Sequence, residues 1–281
     1  MVLLVLVAVY IGGGDLEAGL DGVRDAASSL ADDAMEAIET LETALPVATV
    51  APAATDAPGA TGAPGTSAGP LPAGEGMTLA AHRALSRCGA IVGYSAYIDL
   101  LEGLYPEARR VSTGMMREVE RCRAALELAR DGDEVALVCS GDAGVYGMAS
   151  PALELGADFP DVDIEVVCGV TAAQSGSAVL GAPLAQDFAV ISLSDLLTPW
   201  EKIEKRLLNA AEADFVICLY NPSSRKRHDY LAKACDLVLR FQGEDTVCGI
   251  VENIGREGEA WKVMSLKELR DTQVDMFTTV F

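Results

Sequence analysis

Five short segments of this 281-residue chain have the composition of ligand-binding turns. They are Gly12–Asp15 (GGGD), Ser140–Gly147 (SGDAGVYG), Gly169–Ala173 (GVTAA), Leu219–Ser224 (LYNPSS) and Glu252–Glu259 (ENIGREGE). Each follows an apolar run that reads as a strand. In open α/β sheets, ligands sit at the carboxyl ends of strands, and glycine there lets the backbone approach a ligand closely. Any one of these turns is explained by the ordinary needs of an α/β chain. Five of them, in both halves of the sequence, point to a ligand held between the halves.

The familiar reactive constellations do not occur. The chain has no GxxxxGK[ST] phosphate loop and no HExxH, and its only histidines are His82 and His228. The first strand lacks a full GxGxxG with an acidic residue about twenty positions on. Gln174-Ser175-Gly176-Ser177 lacks the leading glycine of a nucleophile elbow. Seven cysteines (88, 122, 139, 168, 218, 235 and 248) form no CxxC pair, which argues against a zinc site. They also suggest a reducing compartment without a disulfide framework. Cys139, Cys168 and Cys218 lie inside apolar runs and read as small hydrophobes. Such a site would act through backbone groups and positioning more than through a reactive side chain.

The elements that must hold these turns are legible from hydrophobic patterning. Residues 2–11 form an apolar run about half the length of a membrane span, read as a buried parallel strand. Residues 21–45 have apolar positions at helical spacing in an acidic stretch. Residues 46–75 carry six of the chain's 12 prolines among Ala, Gly and Thr, a composition expected of a disordered linker. From Gly76 onward, strands and helices alternate, which predicts parallel sheets with crossover helices. The predicted division is 1–15 first strand and glycine loop, 16–75 insertion, 76–184 N-terminal α/β domain, and 185–281 C-terminal α/β domain.

Several strings beyond Met77 carry a resemblance: VGYSAYIDLL (92–101), ALVCSGDAGVYGM (136–148), GVTAA (169–173), DFAVISLSDLLTPW (187–200), LYNPSSRKR (219–227) and NIGREGE (253–259). With them, the stretch 77–281 resembles the tetrapyrrole (corrin/porphyrin) methyltransferases, and most of all their precorrin-3B C17-methyltransferase branch. The resemblance implies two α/β domains with S-adenosyl-L-methionine in the cleft between them. It implies methyl transfer to C17 of the macrocycle with ring contraction, in cobalamin biosynthesis, by a cytoplasmic homodimer. The cofactor site it implies falls on Gly13, Ser140, Gly141, Asp142, Val145, Thr171, Ala172, Tyr220, Asn253 and Gly255. Asp142 and Thr171 would also serve as helix N-caps, and Tyr220 as a core residue. For ring contraction these strings, together with STGMMREVERCRAALELA (112–129), offer Ser95, Asp99, Ser112, Thr113, Glu118 and Asp195, without selecting among them; Asp99 equally reads as a cap or surface residue.

The chain departs from its family at the first loop, where Tyr10 and Gly13 replace a glycine and a proline. About sixty residues then intervene before the helix at Met77, an insertion whose closure costs little entropy. The chain also ends at Phe281, earlier than the resemblance leads one to expect. The net charge is −21, of which −10 belongs to residues 1–75. That excess argues against nucleic acid and anionic membranes. A macrocycle bearing many carboxylates would need local basic groups. Arg225 and Arg227 are the expected substrate contacts, while Arg121 and Arg123 read as a solvated helix face. Two alternatives stay open: a methyltransferase acting at another ring position, or a non-catalytic relative that binds cofactor or tetrapyrrole.

Overall fold

Fully buried parallel strands read as unbroken apolar runs because helices cover both of their faces. The computed structural model, which describes residues 4–10, 65–66, 76–224 and 227–281, builds its first sheet this way. Strands β3 (Ala90–Tyr94), β4 (Arg109–Thr113) and β5 (Val135–Ser140) pair in parallel, with Val92 opposite both Val111 and Leu137. Helix α1 (Leu79–Arg87) lays Ala81, Ala84 and Leu85 against Ala136 and Val138. On the other face, α3 (Glu118–Arg130) packs Cys122, Ala125, Leu126 and Ala129 against Leu137 and Cys139, and α4 (Ala149–Gly156) adds Ala149 and Ala152 to the same core. The alternation along β5 is the strand period of two, and the helix spacing is three to four. Each large apolar side chain buried here contributes roughly 1.5–3 kcal/mol.

Strand β1 (Leu4–Tyr10) corrects the expectation of a parallel strand. It runs antiparallel between β5 and β6 (Asp163–Val166), with Leu4 opposite Ser140, Val9 opposite Val135 and Tyr10 opposite Asp163. A continuous apolar run specifies burial on both faces but carries no information about strand direction. The acidic stretch 21–45 lies outside the described residues, as does most of 46–75. Within the segment read as a disordered linker, however, β2 (Gly65–Thr66) bridges to Trp261 and Ala260 at the edge of the second sheet.

The second sheet is mixed rather than parallel. Its order is β2, β10 (Ala260–Ser265), β9 (Val247–Glu252), β11 (Thr278–Val280), β8 (Val216–Tyr220), β7 (Phe188–Ser192). Only β7 and β8 pair in parallel; β9 and β10 form an antiparallel pair, and β11 lies antiparallel between β8 and β9. The connection 253–259 is too short for a crossover, so β10 must return beside β9. Helices α6 (Trp200–Glu212), α7 (Tyr230–Val238) and α8 (Leu266–Arg270) cover one face with Ile203, Leu207, Leu231, Cys235 and Leu269. Helix α5 (Ala172–Val179) covers the other. It packs so closely that a Cβ on Gly176 would stand 2.9 Å from the Phe281 ring and 3.0 Å from Ile254. The link from β6 to α5 therefore carries the chain from one sheet to the other, and both sheets belong to one compact unit.

Candidate active-site cleft

The carboxyl ends of β5 and β8, the β9–β10 loop and the approach to β11 converge on a cleft of about 210 Å³. Its lining includes Ser140, Gly141, Asp142, Val145, Thr171, Ala172, Tyr220 and Asn253. Gly255 is not part of the wall, though its neighbours Ile254 and Arg256 are. Gly13 and Arg225 lie outside the described residues. Strand β1 pairs Leu4 with Ser140 and ends with Tyr10 opposite Asp163, at the end of the strand away from Ser140.

Asp142 organises the first wall. One carboxylate oxygen accepts the Gly144 N–H and the other the Gly169 N–H, both at 2.8 Å. It thereby ties the loop after β5 to the loop after β6. Gly141 holds a left-handed φ of 80°, and a Cβ on Gly147 would lie 2.6 Å from the Asp142 carbonyl oxygen. The loop is thus a tight backbone fold with little room for side chains.

Two tyrosine hydroxyls join the walls. Tyr220 lies against Thr171 through their hydroxyls and accepts the Ala173 N–H at 2.6 Å. Thr171 occupies the N-cap position of α5 but makes no side-chain cap bond, so the Tyr220 hydroxyl supplies the cap instead. Burial pushes the Tyr220 phenol up to about 12. Tyr146, at φ 54°, donates to the Val190 carbonyl (3.1 Å) and accepts the Ser192 N–H (3.2 Å). It satisfies the open edge of β7 as a further strand would.

The candidates for proton transfer do not gather in the cleft. Ser95 and Asp99 sit on the short helix α2 (Ser95–Asp99), whose Tyr97 is the residue that lines the cavity. Ser112 is exposed. The Thr113 hydroxyl accepts a 2.8 Å bond from Arg121 Nε. Arg121 overturns the reading of a solvated helix face: it is 4% exposed, donates to the Gly114 carbonyl at 2.9 Å, and stacks over Tyr94. Helix α3 starts at Glu118, and this side chain reaches back to the residues that follow β4. Arg123 remains exposed, near Asp158.

Arg227 is not in the cleft wall. It donates from Nη1 to Ser194 Oγ (2.6 Å) and from Nε to Ser224 Oγ (3.0 Å), and pairs with Asp195 at 3.4 Å. The Tyr230 hydroxyl, 2.7 Å from Asp195, is the main reason that carboxyl is held below its ordinary range. Cys139 and Cys218 are buried, as expected, but Cys168 is exposed because β6 stops at Val166. Burial pushes the thiols of Cys88 and Cys218 up to about 12, so they pack rather than react.

Sequence reasoning missed Tyr97, Tyr146, Arg256, Met276 and Phe277 as parts of the wall. The only sequence signal for Arg256 was its place in a glycine-flanked turn between two strands.

Residues 68–270 match the family model described as Tetrapyrrole (Corrin/Porphyrin) Methylases. A Salmonella typhimurium protein named probable cobalt-factor III C(17)-methyltransferase is 46% identical over 205 residues, covering 73% of this chain and 85% of that one. A Methanocaldococcus jannaschii protein of the same name is 46% identical over 194 residues, 68% of this chain and 77% of the relative. The chain spans only 45% of an Archaeoglobus fulgidus relative, cobalamin biosynthesis protein CbiHC, at 44% identity. Among solved structures, the methyltransferase CobJ matches with a TM-score of 0.66 at 32% identity, covering 72% of this chain and 86% of that chain. Among the described residues, no helix is long and apolar enough to cross a membrane.

Proposed function

Since the chain belongs to the tetrapyrrole (corrin/porphyrin) methylase family, we propose that it moves a methyl group from S-adenosylmethionine to C17 of a corrin precursor, with contraction of the ring, in cobalamin biosynthesis. The precursor is cobalt-factor III or its metal-free counterpart precorrin-3B. The observation that carries this reading is the convergence of the 140–147, 169–173 and 219–221 turns on one cleft, in a chain 46% identical to proteins named for that reaction. The reading extends to a homodimer working in the cytoplasm.

The cleft suits an amphiphilic cofactor. One side offers backbone groups around Ser140, Gly141, Thr171 and Ala172; the other offers apolar Ile254, Met276 and Phe277. We assign the cofactor to Ser140, Gly141, Asp142, Val145, Thr171, Ala172, Tyr220, Asn253 and the Gly255 turn. When bound, S-adenosylmethionine supplies a methyl group on a cationic sulfur that a ring carbon displaces in line. The protein's contribution is orientation: a nucleophile and methyl donor held in line gain several kcal/mol through effective molarity. Asp142 acts by fixing the loop, since each of its oxygens accepts a backbone N–H. Tyr220 stays protonated at neutral pH and holds α5 against the cleft. Tyr97 adds a third phenol to the wall, beside Tyr146 and Tyr220.

The test is incubation with S-adenosylmethionine and, separately, cobalt-factor III and precorrin-3B. The expected product is heavier by one methyl group, with one equivalent of S-adenosylhomocysteine. No mass gain on either substrate would contradict the proposal.

A further inference from the structure

Arg256 lines the cleft, and among the described residues no carboxylate pairs with it. The β9–β10 loop reaches it through left-handed residues, Asn253 (φ 50°) and Gly255 (φ 65°). Its amide donates to the Asn253 carbonyl at 2.8 Å, and its carbonyl accepts the Glu259 N–H at 3.1 Å, so the backbone is pinned on both sides. Glu259, an acid in the same turn, gives its carboxylate to the Gly255 N–H instead. Among the described residues Arg256 makes no salt bridge; its guanidinium shares a hydrogen bond with the Tyr97 side chain, and its Nε is buried without a partner.

Other arginines of this acidic chain are engaged elsewhere. Arg109 pairs with Asp133, Arg117 with Glu120 and Arg227 with Asp195, and Arg110 donates to the Leu101 and Leu104 carbonyls. The Arg256 guanidinium lies over the rings of Phe277 (5.3 Å) and Tyr97 (5.8 Å), which come from opposite walls. Desolvation pulls its pKa below the ordinary arginine value. A buried donor without an acceptor is costly, whereas a carboxylate would satisfy a planar guanidinium with two parallel bonds. The unpartnered Nε is one donor available to such a fork.

We propose that Arg256 receives a carboxylate of a bound reactant. The inference rests on the functional reading above, under which two reactants carry that group: the amino-acid end of the cofactor and the side chains of the macrocycle.

The experiment compares the full-length protein with R256Q and R256K. Calorimetry uses S-adenosylhomocysteine and its decarboxylated analogue; steady-state kinetics use cobalt-factor III; a third arm titrates uroporphyrin III, a carboxylate-rich macrocycle. A tenfold or greater loss of S-adenosylhomocysteine affinity in R256Q, absent with the decarboxylated analogue, supports the cofactor as source. A tenfold or greater rise in KM for cobalt-factor III, with S-adenosylhomocysteine affinity unchanged, supports the macrocycle. In either case R256K recovers part of the loss. Equal losses for both nucleoside ligands with unchanged tetrapyrrole KM would overturn the inference, as would no change anywhere. If the wild-type protein methylates nothing, the functional reading fails. The binding arms still decide the inference: tenfold weaker binding by R256Q of uroporphyrin III, or of S-adenosylhomocysteine but not its decarboxylated analogue, supports it, and unchanged binding of both overturns it.

Discussion

Asp142 and Arg256 face the same cleft in opposite conditions. The Asp142 carboxylate is engaged by the protein, with each oxygen holding a backbone N–H group of a different loop. The Arg256 guanidinium is held between two rings and left without an ion pair among the described residues. The first-sheet wall is therefore a backbone template whose shape is the functional property. The second-sheet wall keeps a charge available for a ligand. Substitutions on the first side should damage shape and stability, and substitutions on the second should change ligand preference at little cost to the fold.

The largest effect is expected at Gly147. A Cβ there would meet backbone oxygens of Asp142 and Ala143 at 2.6 and 2.7 Å, which only a shift of the loop relieves. G147A should cost about 3 kcal/mol in chemical denaturation and abolish S-adenosylhomocysteine binding. D142A orphans two N–H groups and should cost about 2 kcal/mol, with at least tenfold weaker nucleoside binding; D142N, which keeps one acceptor, should recover part. A D142A protein with wild-type stability would remove the template from the comparison.

Y220F keeps the ring but loses the hydroxyl that caps α5, at about 1 kcal/mol. It also carries a pH signature. Tyr220 in the folded protein is raised from 10 to about 12, so its neutral form is favoured on folding. That contribution is intact below pH 10 and is lost as pH rises from 10 to 12. Thermal melts across this range should fall less steeply for Y220F than for wild type. The smallest effect is expected for R227A, which unties the Ser194–Asp195 loop from Ser224 at the partly exposed rim. Calorimetry should find S-adenosylhomocysteine affinity unchanged, and the tetrapyrrole KM should rise less than in R256Q. The reverse order would return the carboxylate role to Arg227.

Sequence made the strands around the site readable because burial on two faces leaves an unbroken apolar run, as in β3 and β5. It did not reveal that β1 runs antiparallel, since such a run has no polarity. The mixed second sheet was encoded in the short 253–259 connection, which lacks any helix to cross over, but the insertion of β11 between β8 and β9 depends on long-range pairing. The glycine turns were legible because backbone conformation is local: Gly141, Asn253 and Gly255 all adopt left-handed φ. Side-chain roles were less so. Arg121 is buried because its side chain reaches back to Thr113 and the Gly114 carbonyl, and Arg256 has no ion pair among the described residues because Glu259 turns back to its own loop. Neither fact is a property of residue spacing.

The central claim, methyl transfer to C17, is tested most directly with S-adenosylmethionine carrying a ¹³C-labelled methyl group. After incubation of the wild-type protein with cobalt-factor III, NMR of the purified corrin should place the label on C17 of a contracted ring. A label on any other ring carbon, or S-adenosylhomocysteine released with none on the macrocycle, would contradict the account.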